Sequence, residues 1–146
     1  PAVSIQGLMG LPTSTAGFGS SGVDVGFAVS FYKTVLERLH FYVVLGGTYF
    51  TDSRTQGLRY EKEGYQAIVG TELAVWSRFS LIVQYMTFTP LLETPAPLNR
   101  NRNYVAGGIK WEFVDGSSLE LSLVENLYPF TSSADVGLAT GFSFRF

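Results

Sequence analysis

In eight separate stretches of this chain, large apolar residues recur at every second position, the repeat of a β-strand whose two faces meet different surroundings. The second and the last stretches alternate most cleanly. Val23, Val25, Phe27, Val29 and Phe31 stand against Asp24, Gly26, Ala28 and Ser30. From Asp135 to the final residue, Val136, Leu138, Thr140, Phe142, Phe144 and Phe146 form one face, and Asp135, Gly137, Ala139, Gly141, Ser143 and Arg145 form the other. The remaining stretches follow the same rule. Their apolar sets are Val3, Ile5 and Met9; Leu39, Phe41, Val43, Leu45 and Tyr49; Tyr65, Ala67, Val69, Leu73 and Val75; Phe79, Leu81, Val83 and Tyr85; Val105, Ile109, Trp111 and Phe113; and Leu119, Leu121 and Leu123.

The connections between these strands alternate in length. Short ones are predicted near Lys33 to Arg38, Ser77 to Arg78 and Asp115 to Ser117, and long ones at 10–21, 51–63, 90–102 and 127–133. Short turns on one side and long loops on the other are the asymmetry of a bacterial outer-membrane barrel. The fold expected is all-β: a single domain, residues 1–146, forming an eight-stranded antiparallel up-and-down transmembrane barrel with both termini on the periplasmic, short-turn side. The Asp115-Gly116 turn needs an odd loop for Glu112 and Glu120 to share a face. A three-residue loop with Gly116 in the left-handed conformation meets that need.

Composition narrows the alternatives. With 46% hydrophobic and 15% charged residues in 146, either a soluble domain or a membrane barrel is open. A spanning helix is excluded, because Glu72, Arg78, Lys110, Glu120 and Arg145 interrupt every stretch that approaches the roughly 18 apolar residues required. A net charge of −2 offers no basic field for nucleic acid. There are no cysteines, so disulfides and thiolate metal sites are excluded. No signal peptide begins at Pro1, so an exported chain starting there is a mature or trimmed one.

The two parities then distinguish lipid from water as the outer medium. In a soluble carrier barrel the less apolar parity would face solvent and carry Lys, Glu and Thr; here it is rich in Gly, Ala and Ser with isolated charges, which suits a narrow lumen. Aromatics gather at two levels: Phe31, Phe41, Phe79, Trp111, Phe113, Phe144 and Phe146 near the short turns, and Tyr49, Tyr65 and Tyr85 near the long loops, as interfacial girdles do.

The predicted lumen network comprises Asp24, Glu72, Gln84, Lys110, Glu112, Glu120, Asp135 and Arg145. Glu112 and Glu120 are expected to face each other across a strand pair, with Arg145 between them to offset the repulsion. No metal-ligand spacing is present, no cofactor is implied, and the single histidine, His40, falls on the periplasmic side with no nucleophile motif around it. The loops 51–63 and 90–102 are the places for a partner protein, though a solvated loop accounts for their polarity equally well.

Two resemblances add to this. Gly141, Phe144 and Phe146 on the terminal strand resemble the carboxy-terminal assembly signal of bacterial outer-membrane barrels, which implies an outer-membrane location, contact with the lipid bilayer and handling by the barrel assembly machinery. Leu11-Pro12-Thr13, a Gly/Ser-rich loop and Gly22-Val23-Asp24-Val25-Gly26 resemble a hairpin of larger outer-membrane barrels, including the phenol-degradation pathway channel family. That hairpin lies well inside longer chains, which implies that residues 1–146 are the carboxy-terminal part of a bigger barrel or a protomer of an assembly. The function expected is a non-enzymatic structural barrel with a filled or narrowly gated lumen. The alternatives are a pore for small solutes within a larger or oligomeric barrel and, third, a lipid-modifying enzyme.

Overall fold

A computed structural model of the chain describes residues 1–11, 22–51, 54–55, 58–59, 61–90, 101–127 and 136–144. Each of the eight alternating stretches forms a strand: β1 (Ala2–Gly10), β2 (Asp24–Leu36), β3 (Leu39–Tyr49), β6 (Glu63–Trp76), β7 (Phe79–Phe88), β8 (Arg102–Val114), β9 (Ser117–Asn126) and β10 (Val136–Ser143). A two-residue hairpin, β4 (Arg54–Thr55) with β5 (Leu58–Arg59), lies within the 51–63 segment that the sequence marks as loop. The long strands make one antiparallel sheet in chain order, β1-β2-β3-β6-β7-β8-β9-β10.

The three short connections share one construction. Each is a two-residue turn, Glu37–Arg38, Ser77–Arg78 or Asp115–Gly116, entered through a register shift between Thr34 and Leu36, Ala74 and Trp76, or Glu112 and Val114. The first strand of each hairpin thus runs further than alternation indicates: β2 continues to Leu36, so the predicted Lys33 to Arg38 connection shrinks to two residues. At the third turn Gly116 has φ of 79°, the left-handed conformation expected of it. The bulge supplies the odd count that keeps Glu112 and Glu120 on one face. Adjacent hairpins are tied at this rim, where Ala74 N donates to Arg38 O at 2.8 Å and Glu112 N donates to Arg78 O at 2.9 Å.

Burial divides the sheet by parity. Ala28, Ile82, Ala106 and Ser122 are buried, whereas Phe27, Leu45, Val83 and Leu123, on the other parity, are each more than half exposed. A flat sheet would expose both faces alike, so this one curls about the even-numbered side, which is concave. The outer, convex face is apolar.

Curling does not bring the ends together. Among the described residues β1 and β10 do not pair with one another, and both are exposed on both faces. The closed eight-stranded barrel expected from the sequence is therefore an open curved sheet here. Period-two alternation specifies which side of a strand faces in; it carries no information about how many strands complete the circle.

The aromatic belts lie on the convex face at the predicted levels. Near the short turns Trp76, Phe79, Trp111, Phe113 and Phe144 form a continuous row: Phe79 stacks on Trp111 with centroids 6.0 Å apart, and Phe113 meets Phe144 edge-on at 6.3 Å. Near the long loops Tyr65 donates to Glu63 at 2.6 Å and Tyr85 donates to Asn103 at 2.8 Å, so each ring carries a polar tip.

Candidate functional site

The polar groups of the concave face gather over the middle strands toward the short-turn end. Tyr42 on β3 stands opposite Gly70 on β6, and Gly70 stands opposite Gln84 on β7. With no side chain at position 70, the Tyr42 ring lies across β6, and its hydroxyl donates to Gln84 Oε1 at 2.9 Å. A Cβ at Gly70 would overlap that ring. The Gln84 amide also reaches Met86 Sδ at 3.5 Å.

A second crossing lies nearer the turns. Lys110 Nζ on β8 is 3.3 Å from Glu72 Oε1 and 3.4 Å from Glu72 Oε2 on β6, so the ion pair bridges β7 and passes over the concave face there. Glu72 is 18% exposed and Lys110 37%. The pair is half sheltered, a position where an ion pair is worth more than on an open surface and less than in a dry core. Ile82, directly opposite both Glu72 and Gly108, is covered beneath it. Lys110 is at the same time the cross-strand neighbour of Glu120 on β9, while its ammonium is paired with Glu72.

These contacts revise the predicted network. Glu112 does not face Glu120: Glu112 stands opposite Ser118, and Glu120 stands opposite Lys110. The two carboxylates are diagonal neighbours, and among the described residues Lys110 is the cation beside them on the sheet. Glu112 has a separate task, accepting the Gly116 backbone N–H at 2.8 Å and so fastening the turn. Arg145, Asp135 and Phe146 lie outside the described residues. Asp24 sits at the far, long-loop end, opposite Gly10 on β1, and is not part of the cluster. Glu72, Gln84, Lys110 and Glu120 are brought together.

Tyr42, which joins Gln84 to β3, was missed by the sequence reading. Its signal was a tyrosine on the inward parity directly across from a glycine. Gly141, expected to belong to an assembly signal, lies opposite Glu120, and Phe144 is exposed on the convex side. His40 is on the concave parity opposite Glu72; its Nδ1 lies 3.0 Å from Thr34 Oγ1, and its ring stacks on Tyr32 at 5.5 Å. Among the described residues no three His, Asp or Glu side chains are placed to hold a metal ion. Among the described residues the arrangement offers hydrogen bonds and charge on the concave face.

This is an up-and-down antiparallel β-sheet protein with one apolar and one polar face. A family model described as a protein of unknown function, DUF3187, matches residues 2–146, and the chain belongs to that family. No curated protein matches it.

Proposed function

We propose that this sheet is part of the wall of a bacterial outer-membrane barrel of more than eight strands, and that the barrel is a non-enzymatic path for small solutes. The observation that carries the reading is the combination of an apolar convex face with two long edges, β1 and β10, that pair with no further strand among the described residues. In hydrocarbon every backbone N–H and C=O needs a partner, so an open edge cannot persist there and further strands must complete the ring. A ring of eight is about filled by its own side chains, and more strands widen the lumen. The aromatic belts and the alternation of short turns with long connections support the same placement. Lipid surrounds the convex face, and the assembly machinery reads the terminal strand through Gly141, Phe144 and Phe146.

A second reading, a scaffold barrel with a narrowly gated lumen, is favoured by the two crossings of the concave face, Tyr42 to Gln84 and Lys110 to Glu72. The absence of cysteine makes closure directly testable. In the membrane-embedded protein, Ser4→Cys is combined in turn with Gly137→Cys, Ala139→Cys, Gly141→Cys and Ser143→Cys. A ring of more than eight strands gives no disulfide within one chain, and a ring completed by a second copy gives a disulfide-linked dimer. Efficient closure within a single chain, which needs Cα atoms within about 7 Å, contradicts the proposal. Planar-bilayer recordings then separate the two functions: stable openings support the pore, and a silent, folded barrel supports the scaffold.

A further inference from the structure

At the long-loop end of the concave face, opposite to the ionic cluster, the sheet forms a pocket of about 390 Å³. Its wall includes Thr48, Phe50, Gln66, Phe88, Arg102 and Tyr104. Phe50, Phe88 and Tyr104 are half-buried, and the Phe88 and Tyr104 rings meet edge-on with centroids 6.1 Å apart. Gln66 lies opposite Phe88, and Phe88 lies opposite Arg102, which sets an amide, a phenyl ring and a guanidinium side by side at one depth on three adjacent strands. These strands are the middle of the sheet, so the pocket's wall does not depend on how the edges are closed.

We infer that this pocket binds a small amphipathic monoanion: an apolar body the size of one ring or a short alkyl chain, carrying a single carboxylate. The aromatic wall provides the apolar contact, in a pocket of ordinary ligand-site size. Arg102 is the charged group on that wall, and among the described residues no carboxylate pairs with it. A guanidinium left without a protein partner presents its planar fork of donors to an incoming carboxylate. Of the lumen carboxylates, Asp24 shares the long-loop end but stands on β2, four strands across the sheet from Arg102 on β8. Lys110 and Glu120 lie at a level eight residues further along β8 and Glu72 at a level six residues further, about 20 to 26 Å by strand rise, well beyond the screening length of about 8 Å in physiological salt. The inference does not rest on the membrane reading, since the pocket belongs to the concave face whatever medium meets the convex one.

Calorimetric titration of the full chain, folded in a non-ionic detergent, tests it with benzoate and hexanoate and with their neutral counterparts benzyl alcohol and hexanol. Both anions should bind more tightly than the alcohols. Arg102→Gln should weaken the anions about tenfold, the loss of one charge-assisted contact at a wet site, and leave the alcohols unchanged. Phe88→Ala should weaken anions and alcohols together. Arg102 is exposed and without an ion-pair partner among the described residues, so its replacement should leave the fold intact, and an unchanged circular dichroism spectrum verifies that. The inference is overturned if neither anion binds at millimolar concentration, or if Arg102→Gln leaves anion binding unaltered.

Discussion

On β8, Ile109 and Trp111 point outward and stay almost half exposed, while Ala106, Lys110 and Glu112, on the same thirteen-residue strand, point inward and are buried or half-buried. The contrast repeats across the sheet. The convex face is dominated by exposed Val, Leu, Ile, Phe, Tyr and Trp; the concave face mixes Gly, Ala and Ser with charged and amide side chains and with apolar ones such as Ile82, Phe88 and Tyr104. A water-soluble protein arranges these materials the other way, with apolar groups covered and polar ones outside. The difference is the one that the proposed placement in a membrane rests on: an apolar face suited to a medium without hydrogen bonds and a more polar face suited to a wet interior.

The largest effect that can break this comparison is a charge on the convex face at mid-depth. Val83 is at the centre of β7 and 55% exposed. In lipid vesicles Val83→Arg should lower the unfolding free energy in urea by about 2 to 4 kcal/mol, the cost of arginine at a bilayer midplane. A face that meets water would accept the same arginine with almost no change.

Next in size is a change on the concave face. Gly70→Ala drives a methyl group into the Tyr42 ring and should destabilise by about 1 to 3 kcal/mol, as overpacking does. Adding Tyr42→Ala should recover most of that loss, and simple additivity in the double-mutant cycle would show that the ring does not cross β6. Lys110→Met leaves Glu72 without its cation and Glu120 without its positive cross-strand neighbour, and should cost about 1 to 2 kcal/mol, between an exposed and a buried pair. Glu120→Gln in that background should return part of it. The smallest effect belongs to the rim: Gly116→Ala places a side chain at φ of 79° and should lower stability by about 1 kcal/mol, measured by the same urea titration.

The strands and their inward and outward faces were legible because alternation is a local property. Val23 to Phe31 or Phe79 to Tyr85 states its own parity without reference to any other strand. The bulges were not legible, since a single inserted residue leaves no mark on composition. Trp76 shows the consequence: its even number assigns it inward, yet the bulge beside it turns it outward, 71% exposed and in edge contact with Phe79. The same shift before Asp115 moved the partner of Glu120 from Glu112 to Lys110. Cross-strand register needs the exact turn, and pairing across an intervening strand, as Lys110 makes with Glu72 over β7, needs the curvature as well. Closure was least legible of all, because alternation within a strand does not state how many strands complete a ring.

The central claim, that the convex face meets lipid and the concave face meets water, is tested most directly by spin labels placed one at a time from Tyr104 to Phe113 on β8 of the protein in lipid vesicles. Each label's collision rate is read with oxygen, which concentrates in hydrocarbon, and with a water-soluble nickel chelate. The account predicts a period of two, with oxygen dominant at positions 105, 107, 109 and 111 and nickel dominant at positions 104, 106, 108, 110 and 112. Nickel dominance at every position, or a period of two with the phases exchanged, would contradict it.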